Sequence, residues 1–335
     1  MAKQTEALIG LDIGGTKIEA MAATPDLTLL ASAVIPTDSR TPDRLVSSIE
    51  RAVDQALQRA GLPEARVAAM GAGAPGMVDH VTGEVRLAVN LNLHDYPLGP
   101  ALAERFGCPV ALENDVRLAA MGVYDHLRQG QPDRYRNLRD LAYISLGTGV
   151  AAGLILNGAL YRGARGMAGE IGHIQVNQDG PLCNCGAHGC LEMYISGTAI
   201  GRMAEEALAR GDGRSRASPL QRQRPATAKL VYAAARAGDP LAQAIADRVG
   251  DYVSRTLYAV LLAYDVEVLA LGGGVVHAGD AFLKPVMAGV DRLRADLPLA
   301  RKLLDPAMVA AAPARNMGAW GGVVMAAAEA RRERV

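Results

Sequence analysis

Three glycine-rich turns, each closing a short apolar run, constrain this chain more than any other feature. Residues 8–13 lead into Gly14-Gly15-Thr16, residues 141–146 into Gly147-Thr148-Gly149, and residues 267–271 into Gly272-Gly273-Gly274. Apolar runs of that length, bounded by glycine, read as strands. Glycine lets the backbone approach an anion closely, and successive N–H groups in such turns form a nest for phosphate. A threonine hydroxyl and the Lys17 ammonium add donors. The first turn is followed by a strand over 18–23, the second by a hairpin: 151–156, the turn Asn157-Gly158, then 159–161. Asn-Gly between apolar runs is a strong hairpin signal. Each half therefore carries a strand, a glycine/threonine turn and a return strand, the pattern of an internal duplication.

Helical segments alternate with these strands, which predicts an α/β architecture. After a turn at Pro25-Asp26 and a strand over 27–35, Thr41 is placed as an N-cap with Pro42 at the first helical position. Leu45, Ile49, Val53, Ala56 and Ala60 then recur at helical spacing until Gly61. A strand over 65–70 ends in the glycine-rich 71–76. A strand over 109–112 delivers Glu113-Asn114-Asp115 to a helix over about 116–127. Long helices over 241–263 and 281–296 flank the strand 267–271, and a small-residue helix covers 318–330. The stretch 211–224, rich in Arg, Ser, Gln, Pro and Gly, is expected to be an exposed loop or mobile insertion. At roughly 150 residues per domain, 335 residues suggest two domains.

Several function classes are excluded at this point. Lys plus Arg equals Asp plus Glu at 35 each, without the basic excess of a nucleic-acid binder. The longest apolar stretches, such as 257–263, fall well short of the ~20 residues of a spanning helix. The first residues run straight into a strand without a signal-peptide core, so a cytoplasmic enzyme is expected. Gly71-Ala72-Gly73-Ala74-Pro75-Gly76 matches a dinucleotide-binding fingerprint by letter, but Pro75 interrupts it and 77–85 is extended rather than helical. Lys17 opens a strand, not a helix, so Gly14–Lys17 is not a P-loop.

Three of the four cysteines, Cys183, Cys185 and Cys190, lie within eight residues. Clustered thiols in a reducing compartment point to metal or catalysis. With His173 they supply one imidazole and three thiols, a complete tetrahedral set for a closed structural Zn2+ site. His188 is the second choice of imidazole. Cys108 is expected to be a small buried hydrophobe. Asn114-Asp115 sits where a strand meets a helix. Its simplest role is to cap that helix; its chemical one is for Asp115 to take a proton from a substrate hydroxyl. Glu170 and Glu192 flank the cysteine knot, as surface charges or as acceptors for sugar hydroxyls.

Together these strings resemble the ROK family (repressor, open reading frame, kinase) over about residues 8–328. The carriers are Asp12–Lys17, 71–79, 112–115, 146–149 with 154–161, Glu170-Ile171-Gly172-His173 and, most specific, C-x-C-G-x-x-G-C-x-E over 183–192. The resemblance implies an actin-like ATPase fold of two RNase H-like α/β domains with an interdomain cleft. Their division is expected at 1–116 plus 315–335 and 117–314. It implies ATP-dependent, Mg2+-assisted phosphorylation of a hexose at the 6-hydroxyl, glucose first, with N-acetylglucosamine, N-acetylmannosamine, fructose or allose as alternatives. Asp115 becomes the base, and Gly73, Pro75, Gly76, Asn114, Glu170, His173 and Glu192 the sugar contacts. Asp12 helps to hold Mg2+, while Gly14, Gly15, Thr16, Lys17, Gly147, Thr148, Gly149, Gly272, Gly273 and Gly274 surround the nucleotide. A homodimer or homotetramer is implied. Val116-Arg117 departs from the Ala-Asn common in family kinases. A DNA-binding repressor would need a helix-turn-helix domain ahead of Asp12, and a sensor without activity would not need Asp115.

Overall fold

The computed structural model describes residues 6–211 and 216–332. Within them the chain divides into two compact units: Met1–Arg139 with Gly153–Ala168 and Pro313–Val335, and Asp140–Ala152 with Gly169–Ala312.

The first unit is built on a five-stranded sheet. Its strands are β1 (Glu6–Ile13), β2 (Lys17–Ala23), β3 (Leu29–Pro36), β4 (Arg66–Ala74) and β8 (Val110–Asn114), in the order β3-β2-β1-β4-β8. β2 runs antiparallel to both β1 and β3, whereas β1, β4 and β8 are mutually parallel. Helix α1 (Pro42–Arg59) begins as the sequence predicts: the Thr41 hydroxyl accepts from the Arg44 N–H at 3.4 Å and Pro42 follows. Its Leu45, Ile49, Val53 and Ala56 are buried against β2 and β3, each larger side chain contributing about 1.5–3 kcal/mol of transfer free energy. A small sheet of β5 (Met77–Asp79), β6 (Glu84–Ala88) and β7 (Leu93–Tyr96) precedes α2 (Leu98–Phe106). Helix α3 (Asp115–Gly130) leads to the short α4 (Pro132–Tyr135).

The second unit carries β9 (Leu141–Leu146), β12 (Val268–Gly272) and β13 (Val309–Ala311) in parallel. Beside β9 lies β10 (Val150–Leu156), which continues past Ala152 into its hairpin with β11 (Ala159–Tyr161). Asn157 and Gly158, at φ 55° and 77°, adopt the paired left-handed conformation of a type I′ turn. The two large sheets therefore share one plan, an antiparallel end joined to a parallel run, as the duplication predicts. Helices α5 (Glu192–Ile195), α6 (Gly197–Ala209), α7 (Ala228–Arg236), α8 (Pro240–Tyr264), α9 (Asp280–Asp296) and α10 (Pro298–Leu303) complete this unit, and α11 (Met317–Arg332) returns to the first. No helix among the described residues is long and apolar enough to cross a membrane.

Three expectations change. The unit boundary falls at Arg139/Asp140 rather than after residue 116, because α3 buries Leu118, Ala120 and Val123 and packs on α11. The strand expected over 65–70 runs on to Ala74 as β4, paired with β1 as far as Gly73 and with β8 as far as Ala74. Of the stretch 211–224, residues 212–215 lie outside the described residues. Its remainder is folded: Ser218 and Leu220 are buried, and the Ser218 hydroxyl donates to Asp239 Oδ2 at 2.5 Å.

Helices α3 and α11 meet backbone to backbone. A Cβ on Gly321 would overlap the Leu118 carbonyl, and one on Gly122 the Met317 carbonyl. Gly321→Val should therefore lower unfolding stability by about 3 kcal/mol, read as a drop in Tm with the far-ultraviolet dichroism spectrum retained.

Candidate functional site

The register of the first sheet sets one row of chemistry. Asp12 pairs with Gly73 across β1–β4, and Gly73 with Glu113 across β4–β8. All three residues sit at the carboxyl ends of parallel strands, where α/β sheets bind ligands. Asn114 and Asp115 follow directly. Asn114 caps α3, its Oδ1 accepting from the Val116 and Arg117 N–H groups at 3.0 and 3.2 Å, while its Nδ2 donates to the Gly76 carbonyl at 3.3 Å. Asn114 thus holds the helix start and the Gly76 loop, and half-buried Asp115 stands at the first helical position, its Oδ1 also accepting the Val116 N–H at 2.9 Å.

Asp12 is held by residues that sequence reasoning missed. Asn316 Nδ2 donates to Asp12 Oδ2 at 2.8 Å and to Glu19 Oε2 at 3.0 Å, and Glu19 is the cross-strand partner of Asp12. Burial raises the Asp12 carboxyl above its ordinary value; the Asn316 bond opposes this and the Glu19 charge reinforces it. The hairpin pairing of Glu19 was available from the sequence. Asn316, 304 positions away, was not. The turn beside them is braced by Gly14 N–H to Lys17 O at 3.0 Å and by the Thr37 hydroxyl to Gly14 O at 2.6 Å. Thr16 and Lys17 are exposed.

In the second unit the other two glycine turns converge. Gly147 N–H donates to Gly149 O at 3.0 Å, Gly197 N–H at the start of α6 donates to Gly147 O at 2.7 Å, and the Thr198 hydroxyl donates to Thr148 O at 3.0 Å. Val275 N–H, just past Gly272–Gly274, donates to Leu146 O at 3.0 Å. Glu192 is no solvated surface charge. Its Oε2 accepts from the Val150 N–H at 2.9 Å and would lie 2.7 Å from a Cβ on Gly149, so glycine there makes room for the carboxylate. Glu170 precedes the 3-10 turn Ile171–His173, accepting the His173 N–H on its carbonyl at 3.2 Å.

His173, Cys183, Cys185 and Cys190 gather with all ligand atoms within 4.8 Å of one another. His173 Nδ1 lies 3.7 Å from Cys183 Sγ, and Cys185 Sγ lies 3.6 Å from Cys190 Sγ. Tetrahedral zinc with Zn–S of ~2.3 Å and Zn–N of ~2.0 Å has ligand separations of about 3.5–3.8 Å, which these two pairs match, and one imidazole with three thiols is a donor set suited to that ion. His188 stands apart, its Nδ1 at 3.0 Å from the Gly180 carbonyl. The Ala187 backbone N–H lowers the Cys185 thiol to about 7, and burial pushes the Cys190 thiol up to about 12. Cys108 is buried, as expected of a small hydrophobe.

The ROK family matches residues 8–329. A glucokinase of Halalkalibacterium halodurans is 35% identical over 280 residues, 83% of this chain and 83% of its own length. An N-acetylmannosamine kinase of Citrobacter koseri is 30% identical over 275 residues, 80% of this chain and 83% of its own. The crystal structure of a ROK family glucokinase from Streptomyces griseus, in complex with glucose and AMPPNP, superposes with a TM-score of 0.76 at 32% identity. It covers 96% of this chain and 99% of its own.

The raised Asp12 carboxyl gives a stability prediction. In the unfolded chain the group loses its proton near 3.8, in the folded one at higher pH. As pH climbs through that window the folded state is the one that resists ionisation, so stability is lost. Asp12→Asn should raise the Tm of the ligand-free protein at pH 7, with the gain shrinking as pH falls toward 3.8. Melting curves across that range check it.

Proposed function

The chain belongs to the ROK family, and on that premise we propose that it transfers the γ-phosphoryl group of ATP to the 6-hydroxyl of a hexose, glucose first. The observation that carries this reading is the strand register that sets Asp12, Gly73 and Glu113 abreast, with Asp115 at the adjoining helix start. Phosphoryl transfer demands little covalent chemistry from a protein; it demands held phosphates, a divalent cation and an aligned base. The matched glucokinase in complex with glucose and AMPPNP supports both substrates.

In this reading Asp115 accepts the proton of the sugar hydroxyl as its oxygen attacks phosphorus, and Asn114 orients the acceptor. Gly73, Pro75 and Gly76 line the sugar's apolar edge, Glu170 and Glu192 accept from its other hydroxyls, and the far ring N–H of His173 donates to one. The nests at Gly14–Lys17, Gly147–Gly149 and Gly272–Gly274 receive the nucleotide phosphates. Asp12 would hold Mg2+, directly or through water, the ion offsetting phosphate charge. His173, Cys183, Cys185 and Cys190 would hold zinc through Nδ1 and three thiolates. That closed site has a structural role, leaving the far ring nitrogen of His173 for the sugar. N-acetylated hexosamines form a second acceptor class, favoured by the Citrobacter koseri relative. A homodimer or homotetramer is the proposed assembly, supported by the exposed apolar side chains of Ile174, Val176 and Leu262.

A coupled assay for ADP release over a panel of hexoses tests the reaction and ranks the acceptors. Asp115→Asn should lower kcat by about 10²–10⁴-fold while glucose binding by calorimetry persists; undiminished turnover would remove Asp115 from the mechanism. Elemental analysis should find about one zinc per chain. Cys183→Ser should lose the metal and increase proteolysis within residues 170–192, because metal binding and local folding are coupled.

A further inference from the structure

Directly behind the base lies a buried charge cluster that the reaction as derived does not use. Glu113 is fully buried, and so are all but a few per cent of Arg117. Arg117 Nε, four positions on, donates to Glu113 Oε1 at 2.7 Å, and Arg162 Nε donates to Glu113 Oε2 at 2.5 Å. The same Oε1 accepts the backbone N–H of Asn114 at 2.9 Å. The second arm of Arg117, Nη1, donates to the carbonyl of Gly166. Gly166 has φ 69° and belongs to the loop between β11 and Glu170, four residues before that glutamate.

Stability alone is a weak reason for such a cluster. Burying charges carries a heavy desolvation cost, and apolar residues of like volume often do as well. What the cluster supplies is geometry. A planar guanidinium reaches a carboxylate and a carbonyl at fixed angles, which a lysine does not reproduce. One arm of Arg117 grips the residue before Asn114-Asp115, the other grips the loop leading to Glu170, and Arg162 anchors the near end of that loop to the same carboxylate.

We propose that Arg117, through Glu113 and Arg162, is a positioning residue that fixes the β8–α3 corner bearing Asp115 to the 162–168 loop. The departure of Val116-Arg117 from the common family pattern thereby acquires a role. The inference rests on the kinase reading for its main readout.

Removing Arg117 outright would leave a buried carboxylate short of a partner, so the test uses milder changes. The Arg162 side chain is 31% exposed, and Arg162→Gln leaves the Arg117–Glu113 pair intact. Arg117→Lys keeps the charge and gives up the fork. With the full chain under conditions where every variant is folded by circular dichroism, Arg162→Gln and Arg117→Lys should each lower kcat, by up to about 100-fold for an ångström of misplacement. The KM for hexose should change little, and Arg162→Lys should recover most of the loss. Wild-type kcat in both variants, or a loss that follows only the unfolded fraction as temperature rises, overturns the proposal. If the unaltered protein releases no ADP with any hexose, the kinase reading is what fails, and amide hydrogen exchange then judges the clamp. Faster exchange in both 110–117 and 162–169 of Arg162→Gln upholds the coupling; faster exchange in 162–169 alone sinks it.

Discussion

Helix α11 meets β1 and β4 backbone to backbone at their glycines. A Cβ on Gly10 would overlap the Ala319 carbonyl, one on Gly71 the Gly322 carbonyl, and one on Gly322 would sit 2.8 Å from Gly10 Cα. Such contact is open only to glycine. Two consequences follow for the site. The amino end of α11 brings Asn316 onto Asp12 and Glu19, and Gly321 of α11 receives α3, whose first residue is Asp115. The heights of Asp115 and of Asp12 are therefore set by the same backbone contacts.

The carboxylates around this frame are each restrained in a different way. An asparagine amide bridges Asp12 and Glu19, two guanidinium groups and a backbone N–H hold Glu113, and the Val150 N–H holds Glu192. Neutral amide donors leave an acid able to carry its charge to a cation, whereas guanidinium partners consume the charge internally. That difference separates Asp12, the proposed ion ligand, from Glu113, whose charge is taken up by the two arginines. A position for Glu192 on the glycine turn also links a proposed sugar contact to a proposed phosphate nest by one hydrogen bond.

The duplicated plan of strand, turn and return strand was plain in the sequence, as were the Thr41 cap, the Asn157-Gly158 hairpin and the cysteine knot. These signals lie within about ten residues of one another, and backbone sterics or ligand spacing enforce them locally. The boundary after residue 116 was misplaced because the helix that follows it takes its partner from the far end of the chain. β4 runs four residues beyond the apolar run 65–70 because Gly71, which a sequence reading takes as a strand end, makes room for α11 on a central strand.

By itself the sequence determined the class of fold, the four metal-type donors and the identity of the candidate base, since each rests on residue type at short spacing. The tertiary structure alone decided how those groups are held. Arg162 reaches Glu113 across 49 positions and Asn316 reaches Asp12 across 304, and nothing local marks either pairing. Hydrogen bonds and ion pairs are chosen among whatever donors packing brings within about 3 Å. Packing here follows the glycine contacts of a helix that no periodicity could assign to its sheet.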